Sequence, residues 1–236
     1  MLVISLALVM TAGFVVESVA AEKPRIGVLR FTNRTSAGWW SGGVGRDLQD
    51  MLINELASTD SFRVLERKEL DAVLEEQDLG ASGRISKGTR AKVGNVTGAK
   101  YLVAATVSSF EKGTEGQGGG LSFKGFSVGG DREKAYIAVD LKVIEVETGE
   151  ITNARTIEAT SKSSGINLGL HKWGFGGNLS DQSKTPTGKA IRACIIEIAG
   201  YLECALTKGK DSDCMEEYRA KETKRKEKTK GSIDLE

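Results

Sequence analysis

Lys134-Ala-Tyr-Ile-Ala-Val-Asp-Leu-Lys-Val-Ile-Glu-Val-Glu-Thr-Gly-Glu-Ile151 is the stretch whose reading decides the fold. Ala135, Ile137, Val139, Leu141 and Val143 alternate with Lys134, Tyr136, Ala138, Asp140 and Lys142. A period of two puts the first set on one face of a strand and the second set on the other, so the strand is half-buried. Glu147-Thr-Gly-Glu150 reads as a hairpin turn, after which Ile151 to Ala159 returns antiparallel. An antiparallel sheet with one apolar face needs a covering layer, and the flanking sequence offers helices to supply it.

Towards the N-terminus, Arg25-Ile-Gly-Val-Leu-Arg-Phe31, Phe62-Arg-Val-Leu65 and Tyr101-Leu-Val-Ala-Ala-Thr-Val107 read as further strands. Leu48, Met51, Leu52 and Leu56 recur at helical spacing, with Asp47 and Asp50 in the first turn, where the helix dipole favours anions. Leu70, Val73 and Leu74 mark a second helix beginning near Arg67, and Ser86 to Val93 a third, short one. Towards the C-terminus, Thr185-Pro186 supplies an N-cap and a first-turn proline for a helix whose apolar stripe is Ile191, Ile195, Ile198 and Leu202. The expectation is an α+β domain, an antiparallel-dominated sheet with packed helices.

Two segments, Lys112 to Lys134 and Thr160 to Lys184, interrupt this plan. Both are rich in glycine and carry short runs of alternation. Leu121 and Phe123 flank Ser122, and Ile166, Leu168 and Leu170 flank Asn167 and Gly169. Structureless connections of about 20 residues are uncommon inside compact domains. Two strands of about 9 to 11 residues fit such a length and match a hairpin of an outer-membrane barrel. The two insertions are therefore read as candidate transmembrane β-hairpins.

Residues 1–21 combine an apolar run with the small residues Ala20 and Ala21, the pattern of a cleaved signal peptide. No cysteine follows that run, so a lipid anchor has no attachment point there. The organisation expected is a signal peptide over 1–21, a domain over 22–207 and a charged tail over 208–236. That tail should be helical from Met215 to Arg225 and disordered beyond.

The 33 basic and 32 acidic residues nearly cancel, which argues against nucleic acid as the partner. Histidine occurs once, at His171, so one chain builds no His-based metal site or His-containing triad. Gly42-Gly-Val-Gly45 departs from the dinucleotide-binding fingerprint, and no Gly-Lys-Ser/Thr phosphate loop accompanies it. Glu66, Glu69, Asp71, Glu75 and Glu76, interleaved with Arg67 and Lys68, read as a solvated helix face. No catalytic constellation emerges: the expectation is a protein that is not an enzyme and takes no cofactor and no metal.

Two features remain. Cys194 falls in the apolar stripe of a helix and reads as a small core residue, whereas Cys204 and Cys214 flank a turn and can be bridged in an exported protein. Trp39 and Trp40 sit among glycine and serine in the loop before the first helix. Either one ring caps the core where the helix begins, or the rings project into a channel or onto a partner.

Leu65-Glu-Arg67 followed by Leu70 and Leu74, Gly98-Ala-Lys-Tyr-Leu-Val103, Ile137-Ala-Val-Asp-Leu141 and Val143 to Ile151 resemble the CsgG family, the curli secretion pore. The resemblance spans about residues 25 to 205. It implies a periplasmic α/β domain from which two β-hairpins per protomer extend, the hairpins of a ring of subunits (nine in the curli pore) closing one outer-membrane barrel. It further implies that the loop before the first helix forms the channel constriction, with the family's aromatic position falling on Trp40 and its asparagine on Trp39. Thr35 stands where the family places a constriction tyrosine. The partners implied are other copies of the chain, a secreted unfolded polypeptide and outer-membrane lipid. The function implied is a non-enzymatic secretion channel; the alternative is a soluble periplasmic accessory module of the same fold serving envelope assembly.

Overall fold

The structure, a computed structural model, describes residues 22–115, 132–162 and 185–232. The apolar N-terminal run, most of both glycine-rich insertions and the last four residues lie outside the described residues.

Among the described residues six strands form one sheet: β1 (Arg25–Val28), β2 (Thr32–Asn33), β3 (Arg63–Leu65), β4 (Tyr101–Glu115), β5 (Arg132–Glu145) and β6 (Ile151–Lys162). Its order is β3-β1-β4-β5-β6, with β2 also pairing β4. The long β4–β5 and β5–β6 ladders are antiparallel, while β1 joins β3 and β4, and β2 joins β4, in parallel. The α+β, antiparallel-dominated sheet read from the sequence is therefore present, with a parallel wing that the sequence did not announce. The parallel pairs arise because the segment after β1 crosses over through a helix rather than a tight turn.

Alternation on β5 works as its sequence requires. Ala135, Ile137, Val139, Leu141 and Val143 are at most 2% exposed and meet Val103, Ala105 and Val107 of β4 and Ile157 of β6 in one core. Two helices cover this face. In α1 (Val44–Ser58), Val44, Leu48, Leu52 and Leu56 point inwards. In α3 (Pro186–Glu203) the buried stripe is Ile191, Cys194, Ile195, Ile198 and Leu202. Each such aliphatic side chain contributes about 1.5–3 kcal/mol on full burial. The start of α3 is fixed by Thr185, whose hydroxyl accepts the Gly188 N–H at 3.1 Å, and by Pro186 in the first turn. Burial pushes the Cys194 thiol up to about 12, so it stays protonated and inert.

Helix α2 (Leu70–Ala81) begins three residues later than the sequence suggests. The Glu66 carboxylate explains the delay: one of its oxygens accepts the backbone N–H groups of Arg67, Lys68 and Glu69, closing a turn ahead of the helix. Burial would raise this carboxyl, but those three N–H groups and the Lys68 ammonium outweigh it and hold it below the usual range. The short helix expected over Ser86 to Val93 does not form. A single turn at Ser86 is closed by N–H groups of Thr89 and Arg90, and the segment is exposed almost throughout. Gly88 interrupts it, and it has no apolar stripe to bury, so tertiary packing gives it no reason to persist.

At the end of α3 the chain enters a π-helical turn (Cys204–Lys208) and reverses at Gly209, whose φ of 88° and ψ of 163° suit glycine alone. Cys204 and Cys214 are joined in a disulfide across this reversal, with Cα atoms 6.1 Å apart. Helix α4 (Asp213–Lys230) follows and continues past Arg225, where the tail was expected to become disordered. Its side chains explain the extension. Arg225 pairs with Glu222 within the helix and with Glu158 of β6, and Lys226 also reaches Glu222. Nearer its start, Tyr218 packs edge-on against Tyr201 at 5.2 Å. The Arg155 guanidinium lies 5.3 Å and 5.1 Å from the centres of these two rings, and its Nη1 donates to the Tyr218 carbonyl at 2.6 Å. Thus α4 runs along β6, the edge strand.

Three outcomes test these assignments. Replacing Cys204 and Cys214 together by serine should lower stability by about 2–3 kcal/mol, the loop-closure value for so short a separation; an unchanged urea midpoint would remove the bridge from the fold's support. Hydrogen bonding and attraction from Arg225 hold the Glu222 carboxyl below its ordinary value of 4.5. Its contribution is therefore complete above pH about 4.5 and fades as pH falls through the lower folded value, so hydrogen exchange should show the second half of α4 fraying first on acidification. Finally, a Cβ at Gly45 would collide with the Phe31 carbonyl oxygen. Gly45→Ala should cost about 1–3 kcal/mol in a thermal melt, whereas Gly42→Ala, which meets open space, should cost far less.

Candidate functional site

The loop between β2 and α1, residues 34–43, holds both expected site residues. Its entry is built by Asn33, whose side-chain oxygen accepts the Thr35 N–H at 2.9 Å and the Thr35 hydroxyl at 2.8 Å. Asn33 Nδ2 donates back to the Thr35 carbonyl at 3.0 Å, an Asx turn of the kind that gives a loop fixed shape. The Arg34 N–H donates to the Val107 carbonyl at 3.0 Å, tying the loop to β4. At its exit Arg30 Nη2 donates to the Gly42 carbonyl at 2.7 Å, and the Phe31 N–H donates to the Gly45 carbonyl at 3.1 Å. Buried Gln49 reaches across from α1 to the Val28 carbonyl at 2.7 Å. Loop 34–43 is thus a pinned structure with defined ends.

Within it Trp39 and Trp40 are half-buried and lean on the core. Their ring centres are 5.6 Å apart and edge-on, and Trp39 makes a second edge-on contact with Phe110 of β4 at 5.3 Å. Such pairs add about 0.5–1.5 kcal/mol beyond the area they bury. Trp39 Nε1 is buried with no hydrogen-bond partner among the described residues. Trp40 lies over the first turn of α1, with Cζ2 3.3 Å from where a Gly45 Cβ would stand. Trp39 thus leans on β4 and Trp40 on the start of α1.

Phe110 is the member of this cluster that the sequence did not reveal. In an unbroken strand it would face away from Val107, three residues earlier. A bulge between Val107 and Ser109 shifts the register, so that Val107 pairs with Val139 and Phe110 with Ile137, both core-facing residues. The signal was available as a slip in the alternation Val103, Ala105, Val107, Phe110.

The surroundings of the loop matter as much as its rings. Strand β2 is parallel to β4, so the loop leaves β2 towards the same end of the sheet at which β4 finishes. There the β4–β5 ladder remains paired out to Glu115 and Arg132, and the β5–β6 ladder out to Lys134 and Lys162. Both glycine-rich insertions therefore depart from adjacent, still-paired strands at one end of the sheet, the end towards which the aromatic loop also leaves β2. Among the described residues no helix is long and apolar enough to cross a membrane.

Comparison with known proteins gives this geometry a context. The family model described as curli production assembly/transport component CsgG matches residues 10–233. A Neisseria meningitidis protein whose name calls it a "putative lipoprotein" is 30% identical over 189 residues, covering 78% of this chain and 77% of its own. The curli production assembly/transport component CsgG of Escherichia coli K12 is 26% identical over 140 residues, covering 57% of this chain. The chain matches about half the length of that relative, 50%. Among solved structures, hypothetical protein CT253 from Chlamydia trachomatis aligns with a TM-score of 0.47 and 16% identity over 79% of this chain and 99% of its own, a likeness too loose to carry an inference. By its family match over nearly its whole length, this chain belongs to the CsgG family.

Proposed function

We propose that this chain is one subunit of a non-enzymatic secretion channel in the outer membrane, assembled as a ring of copies that passes unfolded polypeptide through a constriction formed by loop 34–43. The observation that supports this reading is the common exit of the two insertions from paired strands at the end of the sheet towards which the aromatic loop leaves β2. In this reading the two insertions are the hairpins of the barrel. Two hairpins cannot close a barrel, and open sheet edges cannot face lipid, so insertion requires several copies arranged around an axis. The CsgG family match adds a secretion-related role, and the names of the curli relatives describe transport and assembly.

In this reading Trp39 is the anchor, wedged against Phe110, and Trp40 is the ring that narrows the channel. The pinned ends of the loop hold each copy's indole at one height, so a ring of subunits presents a ring of indoles. The half-burial of both tryptophans favours a second reading, a periplasmic accessory module in which they cap the core.

One pair of measurements separates these. Trp40→Ala in the channel should raise single-channel conductance well above scatter, because the change acts once per subunit, with little loss in a urea melt. In the accessory module the same variant should lose up to roughly 3–5 kcal/mol of stability, and native membranes run without boiling should yield no heat-sensitive, high-mass species in the outer membrane.

A further inference from the structure

The chain that builds and flanks loop 34–43 carries charge of one sign. From Lys23 to Arg46 it holds Lys23, Arg25, Arg30, Arg34 and Arg46 and no Asp or Glu. Lys23 and Arg25, at the start of β1, are paired with Asp60 and Glu22. Arg30, Arg34 and Arg46 are exposed and make no ion pair among the described residues. The carboxylates that follow are Asp47 and Asp50 of α1. Asp50 is engaged by Lys68 at 2.7 Å, an ammonium that Glu69 also meets at 3.7 Å. Asp47 alone is left beside the three guanidinium groups.

Each arginine is placed by the fold. Arg34 opens the loop, and its backbone N–H, bonded to the Val107 carbonyl, fixes where it stands. Arg30 reaches the loop from beyond β1: its Nη2 donates to the Gly42 carbonyl at 2.7 Å. Its Nε lies 3.2 Å from the point a Gly45 Cβ would occupy, and Trp40 Cζ2 lies 3.3 Å from that same point. Guanidinium and indole thus rest together over the bare backbone of Gly45. The bond to Gly42 uses one of the five guanidinium N–H groups, which leaves donors for another acceptor. Arg46 follows Gly45 in the first turn of α1, whose N-terminus has no side-chain cap and adds the positive end of the helix dipole.

We infer that the polypeptide accepted by loop 34–43 is acidic, its carboxylates meeting Arg30, Arg34 and Arg46 while Trp40 supplies an apolar wall. The inference rests on the channel reading above and adds the chemistry of what passes. A guanidinium is permanently charged and offers a carboxylate two N–H groups at once. In a ring every guanidinium is repeated once per copy around the axis, and a narrow opening lined by one sign of charge concentrates the opposite sign. Each contact is exposed and so individually weak. Weak, repeated contacts draw an unfolded chain in without holding it, the balance that conduction requires.

The test reads ion selectivity and peptide block of the full mature chain in a neutral phosphatidylcholine bilayer. Under a potassium chloride gradient the wild-type reversal potential should favour chloride by about twofold or more. Arg34→Gln with Arg46→Gln should shrink that preference, and Arg34→Glu with Arg46→Glu should turn it towards potassium. Arg30 is left in place because it packs over Gly45, and the bond made by Arg34 is to its backbone, so both double variants keep the loop's fixed ends. A readout free of substitution uses two peptides of equal length, one of glutamate and glycine and one of lysine and glycine. The acidic peptide should block the wild-type channel at a concentration about tenfold lower than the basic one, and the gap should narrow in high salt. A conducting channel that favours potassium, a glutamate variant with the wild-type reversal potential, or equal block by the two peptides overturns the inference and leaves the channel reading standing. A wild-type protein that conducts nothing overturns both.

Discussion

The β4–β5–β6 ladder is the constraint on which the rest of this molecule depends. Its strands are far longer than β1, β2 or β3, and one face of its lower half is sealed by α1 and α3. That burial fixes the register, because a slip of one residue would turn Ile137, Val139, Leu141 and Val143 into solvent and bring Lys142 and Asp140 into the core. With the register fixed, the ends of the strands are fixed too. The insertions then leave from defined, adjacent places, and loop 34–43 meets β4 through the Arg34–Val107 bond and the Trp39–Phe110 contact. The position of loop 34–43 is thus set by a packed ladder and not by the loop's own hydrogen bonds alone.

Much of this was legible in the sequence, for reasons that differ by element. The alternation of β5, the turn at Thr148-Gly149 and the stripe of α3 each state a period, and a period survives whatever the tertiary context. The second half of α4 did not declare itself. Its composition reads as a solvated tail, and what orders it is contact with distant residues: Glu158, which meets Arg225, and Glu197, which meets Lys221, come from elsewhere in the chain. The segment from Ser86 to Val93 failed the other way, offering helix-compatible residues with nothing to pack against. Parallel pairing of β1 with β3 and β4 was equally silent, since short buried strands carry no mark of direction.

The candidate site was half legible. Trp39 and Trp40 stand out in any reading, and their loop is where the sequence placed them. What was missing is the reason they stay put. Phe110 is hidden by the bulge at Ser108, and the Asx turn of Asn33 rests on one side chain folding back on its own loop. Both are devices that fix shape without altering composition, so they leave little trace in a pattern of apolar residues.

The two edges of the described sheet are handled differently. Among the described residues β6 is a long edge, and an uncovered edge of that length invites another chain to add a strand. Helix α4 runs beside it, stapled at one end by the Cys204–Cys214 bridge and held along its length by Arg155 and Arg225. At the other end β3 offers only Arg63 to Leu65, too short a template to bind a partner by backbone pairing. With β6 flanked by α4 and β3 only three residues long, neither side of the described sheet offers a free, extended template for backbone pairing, so the long ladder is ordered by burial of its one apolar face against the helices rather than by what its edges could recruit.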